Sequence, residues 1–224
     1  MKKTIKTILH FPHVSLKVPK YFYEGLKISR YEFNCYNLTM SDVGVDTLFS
    51  HLDFIKIIPK YSRLFCDVER FKDDKLETMA KYGQGVIYTH TYDGINFHNH
   101  DSEYVKKVLA YYDKYHKMFD KIVASYLDKC DILLILDIHS FSNKQASHLV
   151  SGEYPDICIG IEKDYFDQEI LDKIILSIKN KGYSYAINFP YKGSIVPNII
   201  YNNKHSIKTR VVSFMIEVNK RIYL

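Results

Sequence analysis

Residues 132–140, Ile-Leu-Leu-Ile-Leu-Asp-Ile-His-Ser, hold the pattern that decides the fold of this chain. Five consecutive apolar residues between polar flanks indicate a strand buried on both faces, which is typical of the middle of a parallel sheet. The polar residues Asp137, His139 and Ser140 follow at its carboxyl end, where open α/β sheets bind their ligands. The stretch therefore predicts a central strand and a functional site beside its end.

Two other apolar segments also lead into residues of the kinds that bind metals. Residues 211–216 run directly into Glu217, and Ile8-Leu9 precede a short segment that contains His13. Two histidines and a glutamate, each at the end of an apolar strand, are typical of a metal-dependent hydrolase.

The composition favours one soluble domain over residues 1–224, with 46% hydrophobic and 25% charged residues. The formal charge of +5 comes from scattered lysines, so the chain shows no dense basic run of the kind that binds nucleic acid. No apolar stretch approaches the roughly 20 residues that a membrane span needs. The N-terminal lysines precede only a short apolar segment, which argues against a signal peptide and predicts a cytoplasmic protein.

Strand and helix patterns alternate along the chain. We predict strands at residues 4–9, 63–68, 86–89, 132–136, 157–161, 185–187 and 211–218, and helices at 42–52, 102–129 and 167–179. This alternation predicts a three-layer α/β/α fold around a mixed, mostly parallel central sheet.

Three residues at the ends of the apolar segments carry the candidate chemistry. His13 and His139 are far apart in sequence, so they could share a metal only if their strands lie close in the sheet; otherwise each is a hydrogen-bonded histidine near a strand end. Burial would raise the pKa of Glu217 toward the range of a general base, unless Glu217 pairs with Lys220 or Arg221.

The charged end of segment 63–70 offers a possible substrate clamp. Arg70 could hold a substrate carboxylate in a bidentate way, or it could pair with Glu69 or Asp73 at the surface.

The sequence His98-Asn99-His100-Asp101 could hold a second metal, but an exposed loop before a helix is the favoured interpretation.

Nine short motifs in a fixed order extend over nearly the whole chain. They are Pro12-His13-Val14-Ser15, residues 41–49, residues 62–71, residues 83–88, Tyr115-His116, residues 136–141, residues 155–160, residues 188–193 and residues 215–224. In that order they resemble the N-formylglutamate amidohydrolase family, a branch of the zinc-carboxypeptidase-like hydrolases that also includes the aspartoacylases.

The resemblance implies a zinc site and assigns roles to residues of this chain. Zinc would be held by His13, His139 and one carboxylate, for which Asp42 is the choice and Glu24 the alternative. Glu217 takes the place of the family's general base, and Arg63 is the candidate for stabilising the oxyanion. Substrate binding falls to Arg70, which grips the α-carboxylate, with help from Asn188 and Tyr191. Glu69 stands where aspartoacylases have asparagine.

The function that the resemblance implies is zinc-dependent hydrolysis of N-formyl-L-glutamate to formate and glutamate. The expected partner is a small acylated amino acid, with no nucleic acid and no membrane. Two alternatives stay open: a related zinc deacylase or carboxypeptidase with another N-acyl amino acid or peptide as substrate, and a non-catalytic binding protein on the same fold.

Overall fold

The structure is a computed structural model that describes residues 3–203 and 206–224. The chain divides into two compact units. The first, called the sheet unit, consists of the described part of Met1–Phe11 together with Val45–Ile57 and Phe119–Leu224, and the second unit consists of Pro12–Gly44 and Ile58–Met118. The assignment of residues 1–224 to one domain stays a prediction.

A single six-stranded sheet lies in the sheet unit. Its strands, in the order β2-β1-β3-β6-β4-β5, are β1 (Ile5–His10), β2 (Ile55–Ile57), β3 (Ile132–Phe141), β4 (Ile157–Ile161), β5 (Tyr185–Ile187) and β6 (Arg210–Asn219). Of the neighbouring strand pairs described, only β4 and β6 are antiparallel. The predicted α/β class with a mixed, mostly parallel sheet is therefore confirmed.

The described residues form six α-helices: α1 (Arg30–Met40), α2 (Val45–Leu48), α3 (Ser102–Ala124), α4 (Asn143–Ser147), α5 (Gln168–Asn180) and α6 (Asn198–Asn202). The division between the units falls inside α3, between Met118 and Phe119. None of the helices in the described residues is both long and apolar enough to cross a membrane.

The central strand β3 is longer than its apolar run predicts. It pairs with β6 in parallel as far as Phe141 opposite Asn219, so Asp137 and His139 lie within the strand and not after it. Leu133, Ile135 and Ile138 are fully buried. β3 is flanked by β1 as far as Asp137 and by β6 as far as Phe141, so the backbone around Asp137 and His139 is held in the sheet.

Two predicted strands, 63–68 and 86–89, are wrong. Residues 62–66 form a turn in which the amides of Phe65 and Cys66 both donate to the carbonyl of Ser62, and the Ser62 hydroxyl accepts from the amide of Leu64. Segment 86–89 contributes only an isolated bridge, between Gln84 and Tyr88. The apolar side chains in both segments are buried, and a short apolar run does not reveal whether a strand or a packed loop buries it.

The helix predictions differ from the structure mainly at their ends. After Leu48 the backbone bonds change to turn type, with the amide of Ser50 donating to the carbonyl of Thr47, so the predicted helix 42–52 is only α2. Helix α3 ends at Ala124, and Asp128 beyond it has a φ of 63°. Helix α1 was not predicted, although Ser29 and Glu32 form a capping box at its start, which is a recognisable signal.

We expect Leu133→Ala to destabilise the protein by about 2–5 kcal/mol, because it leaves a cavity beside a central strand. Urea unfolding measures the change. The control is Leu176→Ala on α5, where the side chain is 58% exposed and the expected change is below about 0.5 kcal/mol. Equal effects of the two substitutions would contradict the position of β3 in the core.

Candidate functional site

In the sheet unit, three polar side chains form a continuous chain at the carboxyl ends of β1 and β3. The Nδ1 atom of His10 lies 2.7 Å from Asp137 Oδ1, and the Nε2 atom of His139 lies 3.2 Å from Asp137 Oδ2. All three residues are buried. Burial raises the pKa of Asp137, but His139 and His10 hold it well below its usual range.

Glu217 lies next to this chain of side chains. It is directly opposite His139 in the β3–β6 ladder, which places both side chains on the same face of the sheet. On its other side Glu217 is opposite Cys158 of β4, where burial raises the pKa of the thiol to about 11. Glu217 is only 7% exposed, so its side chain is buried in this position.

A loop after β5 covers the neighbouring part of the sheet. Asn188 has a φ of 55°, and its side-chain Oδ1 accepts from the amide of Ile161 at 2.9 Å. The Cys158 thiol donates to the carbonyl of Tyr191 at 3.2 Å, and the Tyr191 ring packs edge-on against Phe141 with centroids 5.6 Å apart. The Asn188 side chain therefore holds the loop on β4, while the Tyr191 ring packs against the end of β3.

Gly160 allows this loop to approach the sheet closely. A Cβ atom at that position would overlap the carbonyl oxygen of Gly193 and would meet Met215 Cε at 2.5 Å. No side chain fits there without displacing the loop.

In the second unit, the buried carboxylate of Asp67 is the common partner of several polar side chains. Asp67 Oδ1 lies 2.9 Å from His13 Nε2 and accepts from the amide of Glu69 at 3.1 Å. Asp67 Oδ2 accepts from the Arg63 guanidinium at 2.9 Å and from the Tyr88 hydroxyl at 2.9 Å. Asp67 is fully buried. Burial raises its pKa, but the cations around it, His13 and Arg63 foremost, hold it well below its usual range.

His13 lies between Asp67 and two further carboxylates. Its Nδ1 is 3.5 Å from Asp42 Oδ2, and its Nε2 is 3.5 Å from Glu69 Oε2. Burial and the Arg63 guanidinium lower the pKa of His13, but the Asp67 and Asp42 carboxylates outweigh both and raise it above its usual value. The structure thus brings two of the predicted metal ligands, His13 and Asp42, into contact.

The two predicted arginines both pair with Asp67. Arg70 Nε is 3.5 Å from Asp67 Oδ2, its Nη1 is 3.7 Å from Glu77 Oε1, and its Nη2 donates to the Tyr88 hydroxyl at 3.5 Å. The Arg63 and Arg70 side chains keep 17% and 24% of their surface exposed. Both guanidinium groups are therefore held in place by protein carboxylates and still reach solvent.

The alternative carboxylate, Glu24, occupies a different place. It is exposed and lines a cavity of about 440 Å³ together with residues such as Lys27, His98 and Asp101, and His13 is not among the lining residues. The ring nitrogen Nε2 of His98 lies 2.7 Å from the carbonyl oxygen of Phe22, so His98 is buried and not part of an exposed loop. The favoured interpretation of the 98–101 segment as an exposed loop is wrong for His98.

Three buried polar residues of these clusters, Asp67, Tyr88 and His10, had no predicted role. Asp67 stood in a quoted motif, but its partners come from segments distant in sequence. His10 was visible next to Phe11, at the end of an apolar strand. Its position at the end of an apolar strand was the one sequence feature that could have pointed to it. Its pairing with Asp137 became visible only in the structure.

Several solved structures resemble this one. The structure of N-formylglutamate amidohydrolase from Ralstonia eutropha JMP134 has 19% sequence identity and a TM-score of 0.79, and the match covers 100% of this chain and 85% of that chain. A gene product of Agrobacterium tumefaciens has 18% identity and a TM-score of 0.62, with 98% and 82% of the two chains covered. At these identities the likeness shows the fold. A comparison with curated protein sequences found no match.

The fold, together with the match to a family model, defines an α/β enzyme of the amidohydrolase class. That model, described as N-formylglutamate amidohydrolase, matches residues 5–224, and the chain belongs to this family. The resemblance noted from the nine motifs is therefore confirmed, and membership implies a small-molecule substrate.

We expect Asp67→Asn to destabilise the protein by about 3–5 kcal/mol, because it leaves the buried cations without their counter-charge. Urea unfolding at neutral pH measures this. The control is Asp113→Asn, which removes an exposed pair with Lys72 and costs less than about 1 kcal/mol.

The same pair of proteins gives a pH test. A depressed folded-state pKa contributes stability that is present above the unfolded value of about 3.9 and is lost as the pH falls below it. The gap in unfolding free energy between the wild type and Asp67→Asn should shrink as the pH falls below about 4. A gap that widens in acid would contradict the assignment.

Proposed function

We propose that the protein hydrolyses the amide bond of N-formyl-L-glutamate and releases formate and glutamate. The observation that supports this most strongly is the side-by-side position of His139 and Glu217 on the two central strands of a chain from this family. A metal-binding imidazole next to a buried carboxylate is the pairing that activates a water for attack on an amide.

The donor set fits a zinc ion. Zinc takes imidazole nitrogens and carboxylate oxygens, and two ligand atoms each about 2.1 Å from a tetrahedral zinc lie roughly 3.4 Å apart. The 3.5 Å between His13 Nδ1 and Asp42 Oδ2 agrees with that spacing. We assign His13, Asp42 and His139 as the ligands. When bound, zinc would polarise the amide carbonyl and lower the pKa of a water molecule.

Asp42 is favoured over Glu69 as the carboxylate ligand. His13 Nε2 faces Asp67 Oδ1 at 2.9 Å, and a carboxylate only accepts, so the proton of the neutral imidazole belongs on Nε2 and the lone pair on Nδ1. Nδ1 is the atom that faces Asp42, whereas Glu69 faces Nε2.

The protein's own groups carry the remaining steps. Glu217 takes a proton from the attacking water and delivers it to the departing amine, while Arg63 stabilises the negative charge that develops on the carbonyl oxygen. Arg70 binds the α-carboxylate of the substrate, and its partners Asp67 and Glu77 hold the guanidinium in orientation. Tyr191, packed on Phe141, lines the site with its ring.

One observation favours a second candidate, a deacylase for a different N-acyl amino acid. Glu69 adds a carboxylate beside Arg70, and its side chain is only 15% exposed. An additional negative charge there would oppose a substrate with two carboxylates. A substrate with a neutral or basic side chain would avoid that repulsion.

We expect zinc-loaded protein to release glutamate from N-formyl-L-glutamate and EDTA to abolish the release. A coupled assay for free glutamate measures the turnover. Release that survives EDTA would contradict the zinc mechanism. If the zinc-loaded protein releases no glutamate but hydrolyses another N-acyl amino acid in the same assay format, the substrate proposal is replaced by the second candidate.

Glu217→Gln should keep zinc affinity and lose most of the turnover, about 100-fold or more, because the amide cannot accept the proton. Zinc content by elemental analysis and kcat by the glutamate assay are measured on the same sample. The control, Glu169→Gln on the exposed face of α5, should behave as wild type. Unchanged turnover in Glu217→Gln would contradict the general-base role.

A further inference from the structure

His10 is a fully buried histidine to which the proposed reaction gives no role. It ends β1 and lies directly opposite Asp137 in the β1–β3 ladder. Its ring is stacked on Phe119, with centroids 4.8 Å apart and planes at 26°. The ring is therefore fixed on one side by an aromatic face and on the other by a carboxylate.

Asp137 connects His10 to His139. One carboxylate oxygen lies 2.7 Å from His10 Nδ1, and the other lies 3.2 Å from His139 Nε2. Asp137 and His139 are two positions apart on one strand, so their side chains leave the same face of the sheet. All three residues belong to the sheet unit.

The chemistry of the carboxylate determines where the protons lie. An ionised carboxylate only accepts hydrogen bonds, so both histidines must turn a protonated nitrogen toward it. His10 therefore donates through Nδ1 and His139 through Nε2. In the neutral form of His139 the lone pair is then on Nδ1, and that is the atom able to bind a metal.

We propose that His10 is a positioning residue for His139: by holding Asp137 it fixes the tautomer and ring orientation in which His139 offers Nδ1 to the metal. Carboxylates that orient ligand imidazoles in this way are common around metals, and here the carboxylate is itself held by a second histidine. The metal part rests on the proposed function, but the tautomer is a property of the protein without metal.

Two substitutions at position 10 separate the hydrogen bond from the packing. His10→Phe keeps a ring against Phe119 and removes the donor to Asp137. His10→Asn places an amide N–H close to the position of Nδ1 and removes the ring. If the donor matters, Asn preserves the behaviour of the wild type and Phe does not.

The first test is nitrogen-15 NMR of imidazole-labelled, metal-free protein, with His139 assigned by comparison with His139→Gln. We expect the wild type and His10→Asn to carry the His139 proton on Nε2, and His10→Phe to show a mixture of tautomers. A wild-type proton on Nδ1, or an unchanged tautomer in His10→Phe, would overturn the proposal.

The second test is zinc affinity measured by competition with a chromophoric chelator. His10→Phe should bind zinc about 10–100-fold more weakly than the wild type, the usual effect of losing such a supporting contact, and His10→Asn should recover most of that loss. Equal losses in both variants would assign His10 a packing role and overturn the proposal. A wild type that binds no zinc would refute the proposed metal site, while the NMR result would still decide the role of His10.

Discussion

A carboxylate buried inside a protein must be surrounded by donors, because the loss of its hydration costs several kcal/mol. Asp137 meets this requirement in the middle of the sheet and Asp67 meets it in the second unit. In each case a histidine is among the donors and faces the carboxylate through Nε2. The two carboxylates determine where the polar side chains around them lie, because each of those side chains must donate a hydrogen bond to a buried oxygen.

The sheet supplies the rigidity that this arrangement needs. Parallel strands place their residues level with one another, so His10 stands beside Asp137 and His139 beside Glu217 without any special loop geometry. Asp137 and His139 lie two positions apart on β3, so their side chains leave the same face of the sheet. A site built on strands in this way holds its geometry more tightly than one built on loops.

Part of this architecture could be predicted from the sequence. The apolar run at 132–136 and the segment before Glu217 identify β3 and β6, because a strand buried on both faces leaves a continuous hydrophobic pattern. Segment 63–68 has a similar pattern but folds as a turn around Ser62, since burial alone does not distinguish the two. The contacts of Asp67 join residues from three separate segments, and no local pattern encodes such a meeting. The roles of the candidate site residues and the cytoplasmic location stay predictions.

The contact at Gly160 also limits how this enzyme can change. The backbone of the loop at Gly193 occupies the space where a side chain at position 160 of β4 would lie, so the strand and the loop cannot vary independently there. The loop that contains Tyr191 can keep its place on the sheet only while position 160 stays glycine. Sequence change in this part of the protein would therefore be concentrated in the side chains of the loop, while position 160 of the strand beneath it stays the same.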